Sequence, residues 1–267
     1  MKIVYFNYMW DLWGVSLGST IKAIELLKAL EKHNHEVKFY WRRDDIERKG
    51  SNGVHKPTFR DFLKKYLDRY LHEPNQLFKN MSSIKEELAI LEQEKPDLVI
   101  SRMDSYVYSP VTLTRKTNIP FIIEVDSPSS YEKLVFQDYY RSTRKLLYWL
   151  EQKVLESSKA AFAQTNQVKN YYMEIGLPED LFTVIPNGVD AERFHPDVDS
   201  TEVKDKFDLD GSLVIGFVGS FIYWHGVENL NTIMDNCVKN HSNVKFLMVG
   251  DGGPMKKYIK KYIKENK

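Results

Sequence analysis

Apolar positions fall into two alternating patterns along the chain. Short continuous runs at 3–7, 36–41, 97–101, 121–125, 160–164 and 182–186 read as strands covered on both faces, because they lack polar alternation. Between them lie segments of helical spacing. Ile21, Ile24, Leu27 and Leu30 predict a helix with Ser19 or Thr20 as its cap. Phe59, Phe62, Leu63, Tyr66, Leu67, Tyr70 and Leu71 predict a second, and 88–91 ends another before Lys95-Pro96. Strand and helix in alternation imply parallel β-α-β units in an open α/β sheet. The charged stretch 192–212 breaks the rhythm, which restarts with a strand at 213–218, a helix at 227–238, a strand at 244–249 and a helix at 255–265. The pattern therefore predicts a complete first domain over 1–190, a linker over 191–212 and the start of a second α/β unit over 213–267.

A length of 267 residues has room for one large or two modest domains at roughly 150 residues each. Thirty-eight Lys and Arg against 37 Asp and Glu give a formal charge of +1, without the basic excess of a nucleic-acid binder, so no nucleic-acid partner is expected. The imbalance is local: 256–267 carries six Lys against Glu265. The single cysteine, Cys237, excludes an internal disulfide and a cysteine zinc cage, and reads as a small buried residue on a helix. No run reaches the ~20 apolar residues of a membrane span. Asn7 and Asp11 interrupt the first apolar run and make it a poor signal peptide, so a cytoplasmic protein is expected.

Ligands of open α/β sheets bind beyond the carboxyl ends of the strands. That rule selects the loop from Gly14 to Gly18, Arg102, Asp126, Thr165-Asn166, Asn187-Gly188, Ser220 and Gly250-Asp251. The loop from Gly14 to Gly18 is not G-x-G-x-x-G, which ranks a nicotinamide-dependent oxidoreductase last. Arg102 reads as a surface cation or as a strand-end cation facing a phosphate or carboxylate. Glu124 and Asp126 read as structural hydrogen-bond acceptors or as contacts to a substrate hydroxyl, ahead of a general base. Asn187-Gly188 reads as a turn that tolerates positive φ. The 59–71 stripe reads as core packing. Its other face, with Arg60, Lys64, Lys65 and Arg69, also suits an anionic membrane, and the tail with Tyr258, Ile259, Tyr262 and Ile263 has the same two readings.

Val184-Ile185-Pro186-Asn187-Gly188-Val189-Asp190, followed by Arg193-Phe194-His195-Pro196, closely resembles the hinge of the family 4 (group 1) glycosyltransferases, whose GT-B architecture pairs two Rossmann-like domains. Other elements follow in that family's order. They are His35-Glu36-Val37, Pro96 to Ile100 with Arg102, Pro120 to Pro128, Gly216 to Phe221 with Trp224-His225-Gly226-Val227, and Phe246 to Pro254. The ordered set spans nearly the whole chain.

The resemblance implies a GT-B-like fold with a complete N-terminal Rossmann-like domain. It implies sugar transfer from a nucleotide-diphosphate sugar to a carbohydrate or lipid-linked acceptor, as in polysaccharide biosynthesis. Retention of configuration, no metal and no cofactor besides the nucleotide sugar are implied with it. Gly14, Gly18 and Arg102 would serve the acceptor, Glu124 and Asp126 the chemistry, and Gly219, Ser220, His225 and Gly226 the donor. Asn187 and Gly188 would form the hinge. Ser220 and His225 stand where many members carry Arg and Lys, and Glu124 with Asp126 where many carry His. The 55 residues from Leu213 are fewer than the ~100 of a self-sufficient domain, and the family's second acidic motif would lie beyond Lys267. A truncated donor domain is therefore expected, with a separately encoded C-terminal half and peripheral membrane contact among its partners. The rival reading is a non-catalytic remnant or subunit.

Overall fold

The computed structural model describes residues 1–7, 17–41, 59–136, 144–250 and 252–265; the side chains at 17, 19, 41, 59–73, 133, 134, 136, 144 and 224 lie outside that description. The chain divides into two compact units, Met1–Gly188 and Val189–Lys267.

The first unit contains β1 (Lys2–Asn7), α1 (Leu17–Lys32), β2 (Glu36–Trp41), α2 (Phe59–Glu94), β3 (Leu98–Arg102), α3 (Ser109–Thr117), β4 (Phe121–Val125), α4 (Ser129–Phe136), α5 (Arg144–Ser157), β5 (Ala160–Ala163), α6 (Asn166–Glu174) and β6 (Phe182–Val184). Its six strands are all parallel, in the order β2-β1-β3-β4-β5-β6. The chain steps one way from β1 to β2 and the other way from β2 to β3. Right-handed crossovers then force α1 and α2 onto opposite faces. The packing agrees: Ile3, Tyr5 and Ile100 meet Ala23 and Leu27 of α1 on one face, while Val4, Phe6, Val99 and Phe121 meet Leu91 of α2 and Leu113 of α3 on the other.

Three local expectations change. The helix α1 begins at Leu17, so neither Ser19 nor Thr20 caps it. Its buried side is Thr20, Ala23 and Leu27, and Ile21 is 55% exposed. Steps of three residues drift by about 60° on a 3.6-residue helix, so one face cannot hold all four predicted positions. Instead of two helices, α2 is one 36-residue helix that runs through Pro74. A proline removes a single ladder bond, and the part of α2 beyond it is anchored on the sheet by Leu91, with Ile84 and Leu88 partly buried beside it. The apolar stripe of 59–71 lies on α2, with its side chains outside the described residues.

The second unit contains α7 (Thr201–Phe207), β7 (Leu213–Val218), α8 (Val227–Asn240), β8 (Val244–Val249) and α9 (Lys256–Glu265), with β7 and β8 parallel. The expected linker therefore holds a helix. Asp208, which follows α7, is ion-paired to Lys245 of β8 at 3.0 Å, and Leu209 is buried. Phe221, Val227 and Ile259 form the small core. Tyr262 of the lysine-rich α9 donates to Asp235 of α8, so the tail helix packs onto this unit while Tyr258 and Ile263 stay exposed. Cys237 on α8 is half-buried rather than buried. Among the described residues no helix is long and apolar enough to cross a membrane.

Candidate functional site

Parallel register carries one set of side chains to the carboxyl edge of the first sheet on the α1 face. Arg102 pairs with Glu124 in the β3–β4 ladder, and Asp126 follows β4. Tyr5 of β1 donates to Glu124 Oε2 at 2.6 Å. Lys22, in the second turn of α1, lies 2.8 Å from Glu124 Oε1 and also binds Asp126 Oδ1. The Arg102 guanidinium binds Asp126 Oδ2. Two cations thus balance two carboxylates. Glu124 is fully buried, hydrogen-bonded at Oε2 and only ion-paired at Oε1, whereas the side chains of Asp126 and Lys22 keep 25% and 22% of their exposure. Burial, and after it the Glu124 carboxylate, push the Tyr5 phenol far above its ordinary range and keep it a donor. At the end of β1 the buried Asn7 amide has no hydrogen-bond partner among the described residues.

Arg102 is therefore a buried partner of Asp126, not a surface cation. Lys22, Tyr5 and Asn7 were not legible as site residues. The only signal for Lys22 was a charge one residue from apolar positions on a helix.

Three of the helices in this unit, α3, α4 and α6, are closed at their N-termini by the protein's own side chains. The buried Asn80 of α2 accepts from the amides of Tyr108 and Ser109 at 2.9 and 3.0 Å and caps α3. Glu151 of α5 accepts from Ser129 and Ser130 amides at 2.9 and 3.3 Å, and from the hydroxyls of Ser130 and Tyr172, closing α4. Burial raises the Glu151 pKa, and these donors oppose the rise. Thr165 accepts from Val168 N at 3.3 Å and caps α6, so the Thr165-Asn166 position is structural.

The second unit is built differently. Its helix α8 starts at Gly226, which takes φ 66° and offers no side-chain cap. Ahead of it, His225 Nδ1 lies 2.8 Å from the Ser220 carbonyl. A carbonyl only accepts, so Nδ1 carries the proton, and Nε2 becomes a donor only when the ring is protonated. The β7–α8 loop packs against the β8–α9 loop backbone to backbone. A Cβ on Gly250 would stand 1.9 Å from the Gly219 carbonyl oxygen, which is why Gly is required there.

Gly18 sits exposed in the first turn of α1 with open space around it, while Gly14 and Asp251 lie outside the described residues. Asn187 and Gly188 are exposed at the boundary between the two units, in extended chain rather than the expected turn, and neither takes a positive φ. Strand-end residues pass there in a conformation open to any side chain.

A family model described as Glycosyltransferase Family 4 matches residues 18–193, and the chain belongs to that family. No curated protein matches the sequence. Among solved structures, sucrose-phosphate synthase from Thermosynechococcus elongatus aligns with a TM-score of 0.67 at 16% identity, over 99% of this chain and 67% of that one. Anabaena HepE in complex with UDP and glucose aligns at 0.59 and 13%, over 99% and 65%. UDP-GlcNAc 2-epimerase from Neisseria meningitidis bound to UDP-GlcNAc aligns at 0.52 and 17%, over 99% and 69%. The fold is GT-B-like, a Rossmann-like parallel-sheet domain followed by a smaller parallel α/β unit. The chain spans about two thirds of the length of these structures.

Proposed function

We propose that the chain belongs to a retaining, metal-independent glycosyltransferase that moves a sugar from a nucleotide-diphosphate donor to a carbohydrate or lipid-linked acceptor. The family match supports transfer over epimerisation, since the fold alone is shared with an epimerase. HepE is similar in fold and binds UDP and glucose, which favours a UDP-sugar as donor.

The observation that carries the reading is the contrast in helix ends. The helices α3, α4 and α6 are closed by Asn80, Glu151 and Thr165, while α8 begins at Gly226 without a side-chain cap, just after the loop of Gly219 and Ser220. Open amides and the positive end of a helix stabilise a departing diphosphate without a metal. Ser220 adds a hydroxyl and His225 an imidazole beside it.

In the first unit Asp126 is the carboxylate that retains exposure, so it takes the acceptor hydroxyl, with Lys22 and Arg102 fixing its two oxygens. Glu124, fully buried between Tyr5 and Lys22, positions Lys22 and does not itself touch substrate. Asn7 adds a buried amide with no hydrogen-bond partner among the described residues. Gly18 borders the acceptor side, and Asn187 with Gly188 serves as the hinge.

The test is calorimetric titration of UDP and UDP-glucose into the full 267-residue chain and its His225→Ala and Ser220→Ala variants. Binding in the millimolar range, weakened in both variants, is expected, because no fixed cation stands at either position. Undiminished binding in both variants, or no binding by the parent chain, overturns the reading.

A further inference from the structure

A groove of about 680 Å³ runs between α3 and α5 on the helical layer of the first unit, on the face opposite α1. Each helix contributes one stripe. Tyr108, Thr112 and Arg115 line one wall, and Trp149, Lys153 and Glu156 line the other, both at i, i+4, i+7 spacing. Side chains so spaced share a helix face. Within this groove Trp149 is 52% exposed although it is the largest apolar side chain available to bury. Lys153 is ion-paired to Glu156, whereas Arg115 is exposed and has no ion-pair partner among the described residues. The groove therefore carries one net positive charge, at Arg115.

These features select among ligand classes. The volume lies within the ~300–1,000 Å³ of small-molecule sites and suits a short, compact ligand. Neither wall is a strand, so an extended peptide finds no edge to pair with. The first amides of α3 are taken by Asn80, so no open helix end is present to cradle a phosphate. What remains is a broad aromatic platform flanked by hydrogen-bonding and charged side chains. A pyranose ring matches it: one apolar C–H face lies against the indole while hydroxyls around its rim meet Thr112, Lys153 and Glu156. A carboxylate on the sugar would satisfy the guanidinium of Arg115 in a bidentate pair.

We propose that the groove between α3 and α5 is a second carbohydrate site, separate from the transfer site, that binds a short acidic oligosaccharide with one ring on Trp149 and its carboxylate on Arg115. The site goes beyond the transferase reading and stands without it. Joined to that reading, it holds a glycan chain on the same unit that receives the acceptor.

The experiment titrates a hyaluronan tetrasaccharide, which carries uronates, and neutral maltotetraose into the full chain by calorimetry. Parallel titrations use the Trp149→Ala and Arg115→Ala variants, both at exposed positions, with circular dichroism confirming the fold. The uronate ligand should bind and maltotetraose more weakly. Trp149→Ala should weaken uronate binding about tenfold, the scale of one aromatic stacking contact. Arg115→Ala should weaken it about fivefold and remove the preference over maltotetraose. UDP affinity should be unchanged in both variants, whatever its value. No binding of the uronate tetrasaccharide, equal affinity for maltotetraose in the parent chain, undiminished binding in Trp149→Ala, or a loss of UDP affinity in either variant overturns the proposal.

Discussion

Tyr5 and Glu124 meet across an intervening strand. The phenol of β1 donates to the carboxylate of β4 at 2.6 Å, passing over β3, although the two outer strands stand about 10 Å apart. The bond ties the sheet's α1 face to its carboxyl edge and leaves Glu124 no free oxygen on that side. Tyr5→Phe should destabilise the protein by about 1–3 kcal/mol in urea unfolding, because a buried carboxylate loses its donor. The Tyr5 pKa is raised above its unfolded value of 10.0, so its contribution is full below that pH and is lost as pH rises further. The variant should therefore show a shallower alkaline loss of stability. An unchanged alkaline limb would remove Tyr5 from the accounting.

Arg102 is buried and paired to Asp126, which keeps Lys22 as a second partner. Arg102→Ala should therefore cost about 2 kcal/mol of stability, less than a fully buried pair because Asp126 is partly exposed. Turnover in a complete enzyme should fall as well, since Asp126 loses one of the two groups that orient it. Chemical denaturation and initial rates, measured on the same preparation, separate the two effects. A stable variant with normal rates would show that the pair holds nothing in place.

Glu151 accepts from two amides and two hydroxyls while 2% exposed. Glu151→Gln places an amide donor against donors and should destabilise by about 1–3 kcal/mol. Burial raises its folded pKa, so between the ordinary carboxylate value of 4.5 and that raised value the folded state binds more protons than the unfolded. Its contribution is greatest at acidic pH and declines as pH rises through this window. The Gln variant should flatten that decline in unfolding curves recorded from pH 4 upward.

His225 Nδ1 contacts the Ser220 carbonyl ahead of α8. His225→Lys places a fixed cation beside that helix start and should tighten UDP binding severalfold at constant pH, measured by calorimetry. Unchanged affinity would remove His225 from the donor site.

The runs of β2, β4, β7 and β8 were legible to the residue, because each is a short stretch rich in β-branched and aromatic residues between helical or turn segments. Four sites were placed near a strand end by the same logic, at Arg102, Asp126, Ser220 and Gly250. Periodicity was less informative for helices. It set Ile21 on the wrong face of α1 and read the stripe of 59–71 and the segment ending at 88–91 as two helices where α2 is one, since spacing does not say which turn the sheet covers or how far packing extends a helix.

Alternation of strand and helix, strand-end position and the order of short motifs are properties of neighbouring residues, so the sequence alone determined the parallel α/β architecture and the family. Partnership across the fold is not local. Tyr5 lies 119 residues from Glu124 and Lys22 lies 104 from Asp126, while Asn80 and Glu151 cap helices 28 and 21 residues away. Only the tertiary structure decided which carboxylate is buried, which keeps an exposed edge, and which helix ends carry a cap, because each depends on side chains that the sheet's register and the right-handed crossovers bring together.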